Sequence, residues 1–223
     1  RVPVIAGTGT NNTDHVLHNT RNACEVGVDA ILVVTPYYNK ATQNGLYAHF
    51  KTVADASTVP VILYNVPGRT GCNLLPKTVA KLAEHPNIVG IKEASGNMAQ
   101  TVEILHLCGD KIDVYSGEDA INVPIMAMGG AGAISVLSNL APKEAVAMSD
   151  AALAGDFATA AAWQCKLLPL IKACFCEVNP IPAKAGVSAM GFGEEHLRMP
   201  LTPMEPQNRA VLYEEMRKLG INV

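Results

Sequence analysis

The chain has 223 residues, a net charge of -3, 49% hydrophobic residues and 5% aromatics. That length fills a complete core as one large domain. The mild acidic balance argues against nucleic acid or an anionic membrane surface as partner, since both favour a clustered basic face.

Apolar runs are broken by Gly, Pro, Lys or Cys well short of spanning length, so no transmembrane helix is expected. Residues Arg1 to Ala6 lack the charged, apolar and cleavage regions of a signal peptide, and without a Met the beginning reads as processed or truncated. The six cysteines, Cys24, Cys72, Cys108, Cys165, Cys174 and Cys176, form no Cys-x-x-Cys pair. Cys174-Phe-Cys176 has no zinc-type partner spacing. Reduced thiols in a cytoplasmic protein without a metal site are the expectation.

In chain order, β-rich runs recur at Val2 to Ala6, Ala30 to Val34, Val59 to Tyr64, Ile88 to Ile91, Ile112 to Tyr115 and Ala131 to Val136. Their spacing of roughly 20 to 30 residues is that of a βα unit. The runs are continuous rather than alternating, which predicts parallel strands buried on both faces. Between them the pattern predicts a helix capped by Thr13, running to about Val26 and stopped at Gly27, and helices over 43–56, 75–84, 98–108 and 120–128. Pro124 is expected to kink or delay the last of these. After Val136 the alternation stops. Helices are predicted over 142–154, 157–176 (with Asp156 as N-cap), 182–190 and 206–219, with Asn179-Pro180 capping the third.

Successive βα units admit an open doubly wound sheet or a closed (β/α)8 barrel. Gly7-Thr-Gly9 continues as Thr-Asn-Asn12, so the dinucleotide fingerprint Gly-x-Gly-x-x-Gly fails. Polar residues instead follow nearly every strand, as at the catalytic rim of a barrel. That rim would gather Tyr37 and Tyr38, Tyr64, Arg69, Lys92, and Glu118 with Asp119. A lysine ending a hydrophobic strand can form an imine with a keto group, a phenol can relay protons, and an arginine can hold a carboxylate with two hydrogen bonds. Taken singly, Lys92 reads as a strand-end lysine beside Glu93, Tyr64 as a half-buried aromatic and Arg69 as a surface ion pair. Their joint placement raises the catalytic reading. The six histidines show no ligand spacing and read as surface residues. Asp119 reads as a rim residue or a helix cap, and the Gly129 to Gly132 cluster as a packing feature rather than a phosphate cradle.

Six motifs carry a resemblance: Ile5-Ala-Gly-Thr-Gly9, Thr35-Pro-Tyr-Tyr-Asn39, Tyr64-Asn-Val-Pro-Gly-Arg-Thr-Gly71, Ile91-Lys-Glu-Ala-Ser-Gly96, Gly132-Ala-Ile-Ser-Val136 and Asn179-Pro-Ile-Pro182. From Val4 nearly to the C-terminus the chain resembles the pyruvate-dependent class I aldolases of the dihydrodipicolinate synthase and N-acetylneuraminate lyase family. The resemblance implies a (β/α)8 TIM barrel with a helical C-terminal extension. It places Lys92 on the Schiff-base lysine that condenses with pyruvate and Tyr64 on the proton-relaying phenol. Tyr38 falls on a tyrosine that reaches across a subunit interface. Arg69 falls on the residue holding the carboxylate of L-aspartate 4-semialdehyde, and Gly117 and Ile134 line the pyruvate pocket. The implied product is 4-hydroxy-tetrahydrodipicolinate, on the lysine and diaminopimelate pathway, made without metal or organic cofactor. The implied assembly is a homotetramer built from dimers. Arg69 favours the synthase over the neuraminate and keto-deoxy-sugar lyases of the same family.

The family pattern has two βα units ahead of the strand that opens here, with a Gly-Thr-Thr-Gly-Glu turn that this chain does not contain. Only the third to eighth βα units are therefore expected, in a partial barrel over 1–141, followed by C-terminal helices over 142–223. A working enzyme seen in part is favoured over an inactive fragment serving as a binding partner or a barrel completed by another chain. Gly9, Asn11, His15 and Tyr37 match a cleft where some family members bind lysine as feedback inhibitor. Sensitive members carry a glutamate where His15 stands, so weak or absent lysine feedback is expected.

Overall fold

In the computed structural model, which describes residues 2–223, the apolar runs become six parallel strands that lie side by side in chain order. They are β1 (Ile5–Gly7), β2 (Ala30–Val34), β3 (Val61–Asn65), β4 (Ile88–Glu93), β5 (Asp113–Ser116) and β6 (Gly132–Ala133). The described residues divide into two compact units, one reaching to Glu118 and including Met128–Ile134, the other comprising Asp119–Ala127 and Ser135–Val223. Arg1, where the expected barrel domain begins, lies outside the described residues.

The first unit holds the sheet with α1 (Thr13–Glu25), α2 (Gln43–Ala56), a single turn α3 (Pro67–Thr70), α4 (Pro76–Leu82) and α5 (Met98–Cys108). One sheet face carries Ile31, Val33, Leu63, Ile91 and Val114, which pack with Leu46, Phe50, Val79, Leu82 and Ile104 of the helices into one core. Each such fully buried aliphatic side chain contributes about 1.5–3 kcal/mol. Alternation puts Tyr64, Lys92 and Tyr115 on the other face, where they are half-buried. Burial on both faces therefore fails at the strand ends, because the second face ends in polar side chains.

The cap of α1 differs from expectation. Asn12, in extended conformation, accepts from the N–H groups of Asp14 at 2.9 Å and His15 at 3.3 Å. Thr13 is already helical, and its hydroxyl pairs with His49 Nδ1 at 2.9 Å. At the other end Gly27 takes φ 78° and Val28 N–H returns to the Ala23 carbonyl, the left-handed stop expected there. His49 is buried, 6% exposed, rather than a surface histidine, and desolvation lowers its pKa.

The second unit contains α6 (Asn122–Ala127), α7 (Pro142–Leu153), α8 (Phe157–Cys174), α9 (Ile181–Ala189) and α10 (Pro206–Lys218). Pro124 does delay its helix: a 3₁₀ turn over Asp119–Ile121 comes first, and Pro124 falls in the first turn of α6, where its missing N–H is harmless. Asp156 caps α8, accepting from Thr159 N–H at 3.1 Å. The N-cap position of α9 is Pro180, within the expected Asn179-Pro180 pair, and it makes no side-chain cap bond. Asp119 is buried, and its Oδ2 accepts from Val136 N–H at 2.9 Å and Leu137 N–H at 2.8 Å. Among the described residues no helix is long and apolar enough to cross a membrane.

Candidate active site

Three consecutive strand ends build the site. Tyr64 on β3 is the register partner of Lys92 on β4, and Lys92 is the partner of Tyr115 on β5. Register partners on parallel strands project to the same face, so the three side chains form one row. Lys92 Nζ lies 4.3 Å from the centroid of the Tyr64 ring, within cation–π distance. Burial raises the Tyr64 pKa; the Arg69 cation pulls against that shift and the Glu118 carboxylate adds to it. The phenol therefore keeps its proton throughout the neutral range and can donate it to a reacting oxygen or carbon.

Gly117 determines the path of the lysine stem. A Cβ there would stand 2.9 Å from both Cγ and Cε of Lys92 and 2.7 Å from the Ala94 methyl. Only a hydrogen at that position lets Lys92 run past β5 toward the Tyr64 ring. Ile134 is half-buried, and its N–H donates to the Ser116 carbonyl at 2.8 Å.

Arg69 sits exposed on α3, a turn opened by Pro67 and closed by Gly71 at φ 67°. Its charge reaches the Tyr64 phenol, which ties it to the same row. Tyr38 is displayed outward instead. It takes φ 74°, costly for a residue with a side chain, and is 87% exposed. Its N–H donates to the Thr70 carbonyl at 3.1 Å, and Thr70 is itself tied to the end of β2 by Thr35 Oγ1, which donates to Thr70 Oγ1 at 3.1 Å. Nearby, Asn39 Nδ2 donates to the Asn11 carbonyl at 2.9 Å, joining two loops of the expected regulatory cleft. Tyr37 and His15 are exposed there, and Gly9 packs its Cα against the Val34 backbone, where a Cβ would stand 2.5 Å from the amide nitrogen.

Sequence reasoning missed Tyr115, Asn65 and Glu93. Tyr115 donates to Asp113 Oδ2 at 3.1 Å, and burial, then that carboxylate, raises its pKa. Asn65 and Glu93 each follow a site residue and so point to the opposite, buried face, at 0% and 1% exposure. The available signal was alternation itself: a carboxylate next to an outward lysine in a buried strand needs partners. Among the described residues no cluster of three or more His, Cys, Asp or Glu is placed to hold a metal ion.

The parallel α/β sheet thus sets a strand-end amine against a phenol ring, an arrangement in which a nucleophile and a proton donor can act on one carbonyl group. The comparisons give the family. The profile of the Dihydrodipicolinate synthetase family matches residues 1–219, and the chain belongs to that family. It is 53% identical over 221 residues to the 4-hydroxy-tetrahydrodipicolinate synthase of Geotalea uraniireducens, covering 99% of this chain and 76% of the relative. Dihydrodipicolinate synthase from Aquifex aeolicus superposes with a TM-score of 0.97 at 44% identity, covering 100% of this chain and 76% of that one. The chloride-inhibited enzyme from Acinetobacter baumannii, complexed with pyruvate, gives a TM-score of 0.96 at 44% identity over 99% of this chain and 76% of its own. The Cyanidioschyzon merolae enzyme with lysine bound gives 0.95 at 39% identity over 98% of this chain and 74% of its own.

Proposed function

We propose that Lys92 condenses with pyruvate and that the resulting enamine adds to L-aspartate 4-semialdehyde, giving 4-hydroxy-tetrahydrodipicolinate. The observation that carries this reading is the 4.3 Å approach of Lys92 Nζ to the Tyr64 ring, on adjacent strands in register. The neutral amine attacks the keto carbon, water leaves, and the iminium that forms withdraws electrons from the neighbouring methyl group. Loss of a methyl proton to the Tyr64 phenolate gives the enamine, whose carbon attacks the aldehyde. The amino group of the aldehyde substrate then adds to the iminium carbon and displaces the Lys92 amine, which closes the ring and frees the enzyme. Tyr64 returns protons to the departing water and to the new alkoxide. Arg69, exposed and within electrostatic reach of Tyr64, binds the carboxylate of the aldehyde, which favours this substrate over polyhydroxylated sugar acids. Gly117 and Ile134 line the pocket for the keto acid.

In this reading the six strands take the places of the third to eighth strands of a (β/α)8 barrel, with 1–141 as the partial barrel and 142–223 as the helical part. Tyr38, exposed and held in its strained pose, serves the site of a neighbouring protomer in a dimer or a tetramer of dimers. The six free thiols, of which Cys72, Cys108 and Cys174 are buried, suit the cytoplasm.

Treating the protein with pyruvate and borohydride tests the reading. Reduction of the imine should leave a mass gain confined to the peptide containing Lys92, and folded protein that gains no mass would sink it.

The regulatory cleft makes a separate expectation. Gly9, Asn11, His15 and Tyr37 would form its wall, and a neutral imidazole at His15 accepts a hydrogen bond from an ammonium group more weakly than a carboxylate does. Initial rates should therefore hold steady as lysine rises to millimolar levels. Clear inhibition in that range would overturn the assignment.

A further inference from the structure

The reacting face of the sheet has a hydrogen-bonded counterpart on its back. Tyr64 and Lys92 are register partners, and so are the next residues, Asn65 and Glu93, which point the other way into the helix-covered core. Asn65 Nδ2 donates to Glu93 Oε2 at 3.0 Å and to Asn73 Oδ1 at 2.9 Å. Gln100 Nε2 donates to Glu93 Oε2 at 3.4 Å and to Asn73 Oδ1 at 3.2 Å, while Asn73 Nδ2 donates back to Gln100 Oε1 at 2.8 Å. These four side chains close a ring. Main-chain groups anchor it on both sides, Ser95 N–H donating to Glu93 Oε1 at 2.7 Å and Leu74 N–H to Asn65 Oδ1 at 2.9 Å.

We propose that the Asn65–Glu93 bridge is a positioning device for the reaction, fixing the separation of the Lys92 amine and the Tyr64 phenol. This rests on the imine-forming reading of Lys92. The bridge crosses between β3 and β4 at their last register pair, where a backbone ladder has least support beyond it; the next rung, Ala94 N–H to the Asn65 carbonyl, measures 2.9 Å. Each bridge residue is peptide-bonded to a reacting residue, so a splay of the two strand ends passes directly into the amine-to-phenol distance. A misplacement of about 1 Å in such a pair can lower a rate by roughly 100-fold. The carboxylate is what makes the bridge stiff. It accepts all three of its bonds and donates none, from the Asn65 and Gln100 side chains and from the Ser95 main chain. A buried carboxylate that served folding alone would also need these partners, but it would not need to sit in register beside the nucleophile.

The two roles separate experimentally. Glu93→Gln keeps the shape but sets an amide N–H against a donor, and Asn65→Asp sets a carboxylate against a carboxylate. Each should lower kcat by roughly 10- to 100-fold while KM for pyruvate moves by less than about threefold, with borohydride trapping of pyruvate on Lys92 slowed in parallel. The double variant Asn65→Asp/Glu93→Gln reverses the polarity of the bridge, and kcat should recover to within about threefold of the parent. Assays are run well below each variant's Tm. Lowered Tm with parental kcat, or a double variant that fails to rescue the singles, would overturn the inference. Should a single variant not fold, Asn73→Ala decides: it removes an acceptor from Asn65 and both bonds to Gln100 without burying a new charge. A kcat lowered at least about threefold supports the bridge, and a parental kcat overturns it. The unaltered protein is the control for the underlying reading. If it gains no adduct on Lys92, that reading fails and this inference with it; if it does gain one and the variants match it, the inference alone fails.

Discussion

Lys92→Ala is expected to lower kcat by about 10⁴-fold and to abolish the pyruvate adduct, because the covalent route disappears with the amine. Lys92→Arg should be equally inactive: a guanidinium stays protonated and cannot attack a carbonyl, although it keeps the charge above the ring. The two variants together distinguish a nucleophile from a cation that merely binds the keto acid, since a binding role would survive the arginine in part. The contact with Tyr64 at 4.3 Å is worth about 0.5–1 kcal/mol, and removing a half-buried ammonium offsets some of that loss. A steady-state assay with peptide mapping after borohydride reads both effects. Residual turnover within tenfold of the parent in either variant would remove Lys92 from the chemistry.

The strands were legible wherever burial alone specifies them. β2, whose Ile31 and Val33 are wholly buried, begins and ends where its apolar run does. The C-terminal ends of β3, β4 and β5 were read one or two residues short, at Tyr64, Ile91 and Tyr115, whereas the strands run to Asn65, Glu93 and Ser116. Those three residues are polar, fully or almost fully buried, and successive register partners. They belong to the sheet because hydrogen bonds satisfy them, a property that a hydropathy pattern does not carry. β6 errs in the opposite sense: an apolar run over 131–136 supports pairing only at Gly132–Ala133, since Val136 already leads into a 3₁₀ turn that Asp119 holds. Asn12 rather than Thr13 caps α1 because Asn is the stronger cap and the threonine hydroxyl pairs with His49.

The candidate site divides the same way. Lys92, Tyr64 and Arg69 could be picked out because reactive or charged side chains follow apolar strands, and the structure brings the first two together and puts the third within electrostatic reach. Gly117 could be named from the family resemblance, but its physical role could not, because the clash it avoids involves a side chain from a neighbouring strand. The Asn65–Glu93 bridge was hidden for a similar reason: it joins residues 28 apart in sequence.

Tyr64→Phe should leave imine formation possible while slowing turnover by roughly 10²- to 10³-fold, the range expected when a positioned proton donor is lost. Pyruvate with borohydride should still label Lys92, which separates this variant from Lys92→Ala. The pH dependence carries the sharper signature. Burial, helped by Glu118 and opposed by Arg69, raises the Tyr64 phenol above its ordinary value of 10.0. Since the neutral phenol is the active form, the alkaline limb it produces in kcat/KM should lie above that value and disappear in Tyr64→Phe. Removing the opposing cation with Arg69→Ala should move the limb further up, and Glu118→Gln should bring it down, because the carboxylate raises the phenol's pKa. The linkage sign agrees: a phenol whose folded-state pKa is raised stabilises the fold below its unfolded value and loses that contribution as pH rises through the folded one. Stability and turnover should therefore fall over the same alkaline window in the parent, and the Tyr64 contribution to both should be absent in the phenylalanine variant. If the limb stays in place in Tyr64→Phe, another group carries the proton, and Tyr115, the next phenol in the row and likewise raised by burial, is the side chain to substitute next.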